Sequence, residues 1–348
     1  MSGYLPVAAL LLLPALAQAV PWSTRAPLDV PRQEVAVAEL GGLVYVIGGF
    51  DGTGSIVTTV EAYDPASDSW STKAPVPVPI HHTTATAANG KLYVIGGWSD
   101  FFATALSSVY EYDPVADSWS PPKAPMPTPR GSPAAAEVGG LVYVAGGWNA
   151  GLVSDFAAYD PTADMWTPLA PMPTGRNHLG AAGLAGKFYA VGGRTDLGAG
   201  LNNVATVEVY EPGVGWGTLT PLPRARGGLA LASAASRLFA FGGEGNDDIP
   251  SGVFPDVDAY DPATNLWAPR APMPTPRHGI GAAVLAGRIH IPGGGPVEGF
   301  GVSAEHEVFD PEPPASIPAI PLAGAALLGL ALAVTGRVRR ETISPPRS

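Results

Sequence analysis

The chain has 348 residues, no cysteine, and 30 acidic against 19 basic side chains, for a formal net charge of −11. The missing cysteines rule out a disulfide framework and any thiolate nucleophile or thiolate metal ligand. An acidic surface repels phosphate backbones, so nucleic acid is not an expected partner.

From the start, residues 1–19 hold an apolar run from Leu5 to Leu16 and end in Ala17-Gln18-Ala19. An apolar core followed by a small-x-small site is the pattern of a secretory signal peptide, although the start amine is its only basic group. Cleavage after Ala19 would leave Trp22 three residues into the mature chain. The segment Trp22 to Pro27 then reads as a lone strand with no partner nearby in sequence.

A unit repeated six times follows. Gly-Gly pairs begin at Gly48, Gly96, Gly146, Gly192, Gly242 and Gly293, and aromatic-acid-proline turns centre on Asp64, Asp113, Asp160, Glu211, Asp261 and Asp310. Trp22, Trp70, Trp119, Trp166, Trp216 and Trp267 keep the same beat. A period of about fifty residues with these landmarks indicates a propeller array. Within a unit, a run such as Leu92-Tyr93-Val94-Ile95 suits a strand buried on both faces. The glycines end it, allow positive φ, and leave bare backbone for a large side chain to lie against. Tyr-Asp-Pro is turn chemistry, and a Trp strand follows. Ala124-Pro125-Met126-Pro127-Thr128-Pro129-Arg130 stops the sheet, because proline removes ladder donors. The small apolar stretch after it, Gly131 to Val138, fits the crowded innermost position. Each blade thus has four strands, and the tyrosines and tryptophans are expected to form core between blades.

The Gly-Gly pair, the Tyr-Asp-Pro turn, the Trp and the Pro-Arg that opens the next unit closely resemble the kelch repeat, over Trp22 to Pro311. The departures are Glu211 at one turn, Phe309 for Tyr, His290 where other units carry Tyr or Phe, and Ile80 where Arg is expected. The expected fold is all-β, a six-bladed kelch β-propeller spanning residues 20–312. The sixth unit stops after its third strand at Asp310, so the Trp22 strand is expected to complete that blade and close the ring.

A short linker, 313–316, leads to the apolar stretch Ile317 to Gly336, long enough to span about 30 Å of hydrocarbon as a helix. The tail 337–348 contains Arg337, Arg339 and Arg340. The charge bias places this tail in the cytoplasm and the propeller outside. The arrangement resembles bacterial C-terminal sorting signals of the PEP-CTERM type, with Pro311-Glu312-Pro313 just upstream, and that resemblance implies a location at the cell surface or the outer face of a membrane.

The residue opening each innermost strand is Arg32, Ile80, Arg130, Arg176, Arg226 and Arg277. The kelch resemblance puts this position at one mouth of the central channel, with the loops after the Gly pairs. Five guanidinium forks there suit carboxylate or phosphate recognition. The alternative is that each bonds loop carbonyls or pairs with Asp51, Asp100, Asp196, Asp247 or Asp248. Phe50, Trp98 and Trp148 follow the Gly pairs on three successive blades and could form a sugar-stacking platform or pack against the loops; Arg194 and Glu244 occupy that position on the next two. His81, His82, His178 and His278 lie at strand starts in three blades, but offset, so they need not converge, and no metal or other cofactor is expected.

The leading functional expectation is therefore a secreted or surface-tethered monomer that binds an extracellular glycan or a protein at one mouth, through Arg32, Arg130, Arg176, Arg226, Arg277, Phe50, Trp98, Trp148, His82 and His178. Galactose-oxidase-like chemistry, which in kelch enzymes relies on a cross-linked Cys and Tyr at copper, is excluded. An enzyme is not the leading expectation. The alternative from that class is a sugar mutarotase or epimerase with Glu34, His82 or His178 as acid-base group, and a structural matrix role is a third.

Overall fold

A computed structural model describes residues 21–196 and 201–312. The expected signal peptide, linker, membrane-spanning helix and basic tail lie outside these residues. Among the described residues there is no α-helix, and so none long and apolar enough to cross a membrane.

Six four-stranded antiparallel sheets make the propeller. Blade one contains Ala36–Leu40, Leu43–Ile47, Val60–Asp64 and Ser69–Thr72, and blades two to five repeat this order outward from the axis. In blade six the inner three strands are Ala283–Leu285, Arg288–Pro292 and His306–Phe309, and the outermost is Trp22–Thr24, paired Trp22 to Phe309, Ser23 to Val308 and Thr24 to Glu307. The strand isolated in sequence closes the ring, as its orphan position required. The second strand of each blade is buried on both faces, for example Val44, Tyr45, Val46 and Ile47. The innermost strands carry small residues because six of them converge on an axial channel of about 420 Å³.

The tryptophans do more than fill space. Each indole Nε1 donates to a backbone carbonyl in the Pro-rich linker that leaves the preceding blade: Trp70 to Ala26 (2.7 Å), Trp119 to Ala74, Trp166 to Ala124, Trp216 to Ala170, Trp267 to Thr220 (2.9 Å each). Trp22 makes the same bond to Ala271 at 3.1 Å, so the closing blade is locked by the device used at every other joint. The turn acids assist: Asp68 accepts from both the Tyr63 hydroxyl (2.7 Å) and the Ala26 N–H (3.0 Å), and Asp117 and Asp164 do likewise.

The Gly-Gly pairs have positive φ as expected, but they do not face the large aromatics. A Cβ on Gly48 would lie 2.3 Å from the Ile80 carbonyl oxygen, and one on Gly49 2.4 Å from that of Gln33. Gly48 is therefore where one blade's backbone abuts the next, Gly49 lies against the opening of its own blade's innermost strand, and the Gly49 N–H donates to Ile80 O at 2.8 Å. A side chain at Gly48 would push blades apart.

Candidate functional site

The five arginines at the strand openings are at the predicted end of the channel but point away from the mouth. Arg32, Arg130, Arg176, Arg226 and Arg277 are each 0% exposed. Four pair with a carboxylate on the third strand of their own blade: Arg32 with Glu61 (2.5 Å), Arg176 with Glu208, Arg226 with Asp258 (2.9 Å) and Arg277 with Glu307 (2.7 Å). Further donors reach blade carbonyls, such as Gly48 O and Thr59 O for Arg32 (2.8 and 2.9 Å), while Arg226 Nε and Nη1 find no partner. The anion-binding funnel is thus corrected to a set of internal braces, paired with third-strand acids rather than with the nearby loop aspartates. The reason is a left-handed backbone two residues on, which sends the side chain there to the axis while the one at the arginine position enters the blade. Where the arginine is missing so is the acid, since Ile80 is matched by Tyr110 in one apolar cluster. Arg130 is the odd case. Its third strand offers Ala157, and Arg130 bonds only the carbonyls of Gly146 and Asp155, leaving Nε and Nη2 without a partner.

Two residues beyond each arginine position stand Glu34, His82, Ser132, His178, Gly228 and Gly279. All six adopt positive φ, from 48° at His82 and Ser132 to 66° at Gly228. Their backbones form a closed cycle around the axis: Glu34 N–H donates to Gly279 O, His82 to Glu34, Ser132 to His82, His178 to Ser132, Gly228 to His178 and Gly279 to Gly228, at 2.8–3.3 Å. Left-handed backbone at four non-glycine residues costs on the order of 1–3 kcal/mol each and persists only where the surroundings enforce it. Here the hydrogen-bonded cycle does so, and its product is to aim four polar side chains at the axis. The two glycines matter too: a Cβ on Gly279 would lie 2.5 Å from Glu34 Oε1, so the glutamate reaches into space that blade six leaves empty.

Above this cycle opens a cavity of about 840 Å³. Its floor is polar: Glu34, His82, His178, Arg194 and Glu244. Its walls are apolar, with Phe50, Phe101, Phe102, Phe300 and Leu201. Phe101 (70% exposed) stacks on buried Phe50 at 5.7 Å, and Phe300 (52% exposed) meets Phe50 edge-on at 6.4 Å. Of the three aromatics expected to form a platform, only Phe50 lines the cavity. Trp98 is buried, its ring lying over Gly131 where a Cβ would be 2.2 Å from it, and half-buried Trp148 bridges to Gly131 and Leu152 outside the cavity. His82 and His178, by contrast, line the floor, and they converge with Glu34 despite their sequence offset.

The floor's hydrogen bonds fix its tautomers. His81 Nε2 lies 2.7 Å from the Asp100 carbonyl, an acceptor, so it carries the proton. Burial holds the His81 ring down at about 4, so it is neutral and its Nδ1 is a lone pair. His82 Nδ1, 2.6 Å away, must therefore donate to it, which leaves His82 Nε2 bare toward Glu34 Oε2 at 3.1 Å. His178 Nδ1 donates to Asn177 Oδ1, leaving Nε2 bare beside Ser132 Oγ at 3.3 Å. Burial, then neighbouring positive charge, drives both rings far below the ordinary histidine range. Burial also pushes the Glu34 carboxyl up to about 7, with Glu244 adding and the His278 and Arg194 charges opposing.

Glu244 behaves oppositely. Burial would raise it, but the His278 contact at 3.2 Å, the Arg194 guanidinium at 2.5 Å and the Gly299 N–H at 2.9 Å bring it down to about 2. His278 is buried too, which depresses it, yet Glu244 and Glu34 more than offset this and raise it. The floor thus has one side held as an ionic cluster of Arg194, Glu244 and His278, and one side of neutral imidazoles around Glu34.

Sequence reasoning missed Phe101, Phe102 and Phe300. The available signal was an adjacent Phe pair within a polar loop and a single Phe among glycines, with nothing else nearby to pack them.

The KLHDC2/KLHL20/DRC7 Kelch-repeats domain matches residues 16–193, and the Kelch motif matches residues 225–274. The chain is 48% identical over 67 residues to Kelch-like protein terF of Aspergillus terreus, covering 19% of this chain and 15% of that protein. It is 58% identical over 43 residues to human Kelch-like protein 4, covering 12% and 6%. The chain therefore spans only a small part of these relatives' length. The solved structure titled "Structure of YjhT" superposes with a TM-score of 0.69 at 18% identity, over 82% of this chain and 96% of that one, and so shares its fold. With six repeats, a closed ring and a family match over half its length, the chain belongs to the kelch-repeat family of β-propellers.

Proposed function

We propose that this propeller, which as a kelch scaffold serves ligand or protein binding, takes a neutral extracellular sugar in the cavity at the mouth. One observation carries the reading: aromatic rings wall a polar floor within a volume inside the usual range of about 300–1,000 Å³ for small-ligand sites. Sugar rings need both, apolar faces against aromatic rings and hydroxyls against fixed polar groups. An anionic ligand, which five mouth arginines would have favoured, loses its basis because those side chains are internal. The one arginine lining the cavity, Arg194, is bonded to Glu244. The supporting experiment is a glycan array probed with the propeller, followed by calorimetry on hits. Neutral glycans should dominate; binding confined to polyanions, or to none, would overturn the reading.

A second reading, sugar mutarotation or epimerisation, is favoured by the Glu34–His82 contact on the cavity floor, which places a proton donor beside an acceptor. Exchange NMR on any sugar that binds separates the two, since binding without faster anomer exchange leaves only the first. Location at the outer face of a bacterial membrane, from 1–19 and 317–340, is part of the proposal. N-terminal sequencing and fractionation test it: a chain starting at Val20 in the membrane fraction supports it, and a Met1 terminus in the cytosol defeats it.

A further inference from the structure

The structure assigns a divalent transition-metal site, best suited to Zn²⁺, to Glu34, His82 and His178 on the cavity floor. The assignment does not depend on which ligand the cavity takes. The donor atoms of these three residues lie within 4.8 Å of one another. Atoms bound to one tetrahedral zinc at about 2.0–2.2 Å stand about 3.3–3.6 Å apart; His82 Nε2 and Glu34 Oε2 are already 3.1 Å apart, and the site closes with side-chain shifts of at most about 1.5 Å. Two imidazoles and one carboxylate form a donor set suited to zinc and its first-row neighbours, and three protein ligands leave a fourth position open toward the mouth.

Convergence alone would be weak, and the support around it is what makes the assignment. A metal-bound imidazole needs a lone pair on the ligating nitrogen and a fixed acceptor for the other N–H. Both rings have this arrangement independently. His82 is held through Nδ1 by His81, which is itself anchored on the Asp100 carbonyl, and His178 is held through Nδ1 by Asn177, whose Nδ2 donates to Asp196 O at 3.1 Å. Both free Nε2 atoms are presented to the same axial space, from blades separated by blade three. The backbone cycle fixes the three ligand residues in left-handed conformation, and glycine at position 279 keeps the carboxylate's space clear. The neighbouring triad Glu34, Glu244 and His278 is less suited, because Glu244 already accepts from Arg194 and the Gly299 N–H. That pairing sets a carboxylate directly against Arg194, the cation that opposes a metal ion at this floor.

The test is titration of tag-free propeller, stripped with chelator, with CoCl₂ and ZnCl₂. Wild type should take up one equivalent of Co²⁺ with the visible d–d absorption of a four-coordinate site, displaced by Zn²⁺. Asn tolerates left-handed backbone, so His82→Asn and His178→Asn keep the fold while removing ligands, and each should abolish the absorption, as should Glu34→Gln. Asn177→Ala, which releases the His178 ring, should weaken Co²⁺ binding by about 10–100-fold, whereas His278→Asn should leave the absorption in place. Absence of a saturable Co²⁺ site in wild type would overturn the assignment, as would unchanged binding in a folded His82→Asn/His178→Asn protein.

Discussion

Blade two supplies a natural substitute for the internal ion pair of blade four, and exchanging them tests whether the arginines are braces or ligand contacts. In Arg176→Ile the guanidinium disappears, while Glu208 keeps only the Thr174 hydroxyl at 2.9 Å. A buried pair broken on one side costs about 3–5 kcal/mol, because a desolvated charge is left behind. At roughly 2–4 °C per kcal/mol for a domain of this size class, the melting temperature should fall by about 6–20 °C. Adding Glu208→Tyr reproduces the Ile80/Tyr110 combination and should recover most of the loss, since apolar replacement of a whole buried pair is often neutral or stabilising. Arg130→Ile should cost less than Arg176→Ile, because no carboxylate is orphaned. The assay is thermal and urea unfolding of the variants, with the coupling read from the double-mutant cycle. Equal destabilisation by the single and the double variant, or a single variant that folds normally but loses its ligand, would refute the bracing account.

Three further outcomes follow from the same structure. A chain beginning at Val30 loses the Trp22 bond to Ala271, the Trp22–Phe309 contact at 5.0 Å and a whole strand; a loss of several kcal/mol is expected by the usual cost of removing a packed Trp, and melting within a degree or two of the intact ring would contradict closure. Ala157→Asp should give Arg130 the partner it lacks, on the pattern of Arg226 and Asp258, and raise the unfolding midpoint; a lower midpoint would mean that the blade-three core cannot admit the carboxylate. The pair His290 and His306, 2.9 Å apart, is depressed to about 4 and about 3, chiefly by burial and for His306 also by His290. Both stay neutral in the fold while their unfolded counterparts take up protons from about pH 6.5 downward, so their contribution is complete above that pH and is lost as pH falls toward 4. His290→Phe/His306→Val, which restores the residues of blade five, should lessen the acid loss at pH 4 by up to about 7 kcal/mol, at about 1.4 kcal/mol per pKa unit over two rings; parallel stability–pH curves for the two proteins would exclude this pair as a source of acid sensitivity.

The propeller was legible because its signals recur: the Gly pairs and the tryptophans make the same contacts in all six blades and the turns recur at the same phase, so an error at one blade is corrected by the others. Closure could be read from the phase of the repeat, since Asp310 has no tryptophan after it and Trp22 has no strand before it. Side-chain direction was not legible. Arg32 and Glu34 differ by two residues, yet one enters the blade and the other faces the axis, because the backbone turns left-handed at Glu34, a change no periodicity announces. The partners Glu61, Glu208, Asp258 and Glu307 lie about thirty residues downstream, in strands that looked like ordinary apolar runs with one acid each. The cavity walls were least legible of all, since Phe101 and Phe300 sit in loops that have no counterpart from blade to blade.

The measurement closest to the central claim compares sugar binding by wild type with that of Phe101→Ala/Phe300→Ala, using saturation-transfer NMR and calorimetry. Both side chains are largely exposed and carry little of the fold, so their loss should leave the melting temperature nearly unchanged while lowering affinity at least tenfold, about 1.4 kcal/mol. Val115→Ser/Val214→Ser, which removes two exposed apolar side chains from outer turns, should leave binding intact. Undiminished binding in the phenylalanine variant, with loss in the valine control, would place the ligand elsewhere and contradict the account.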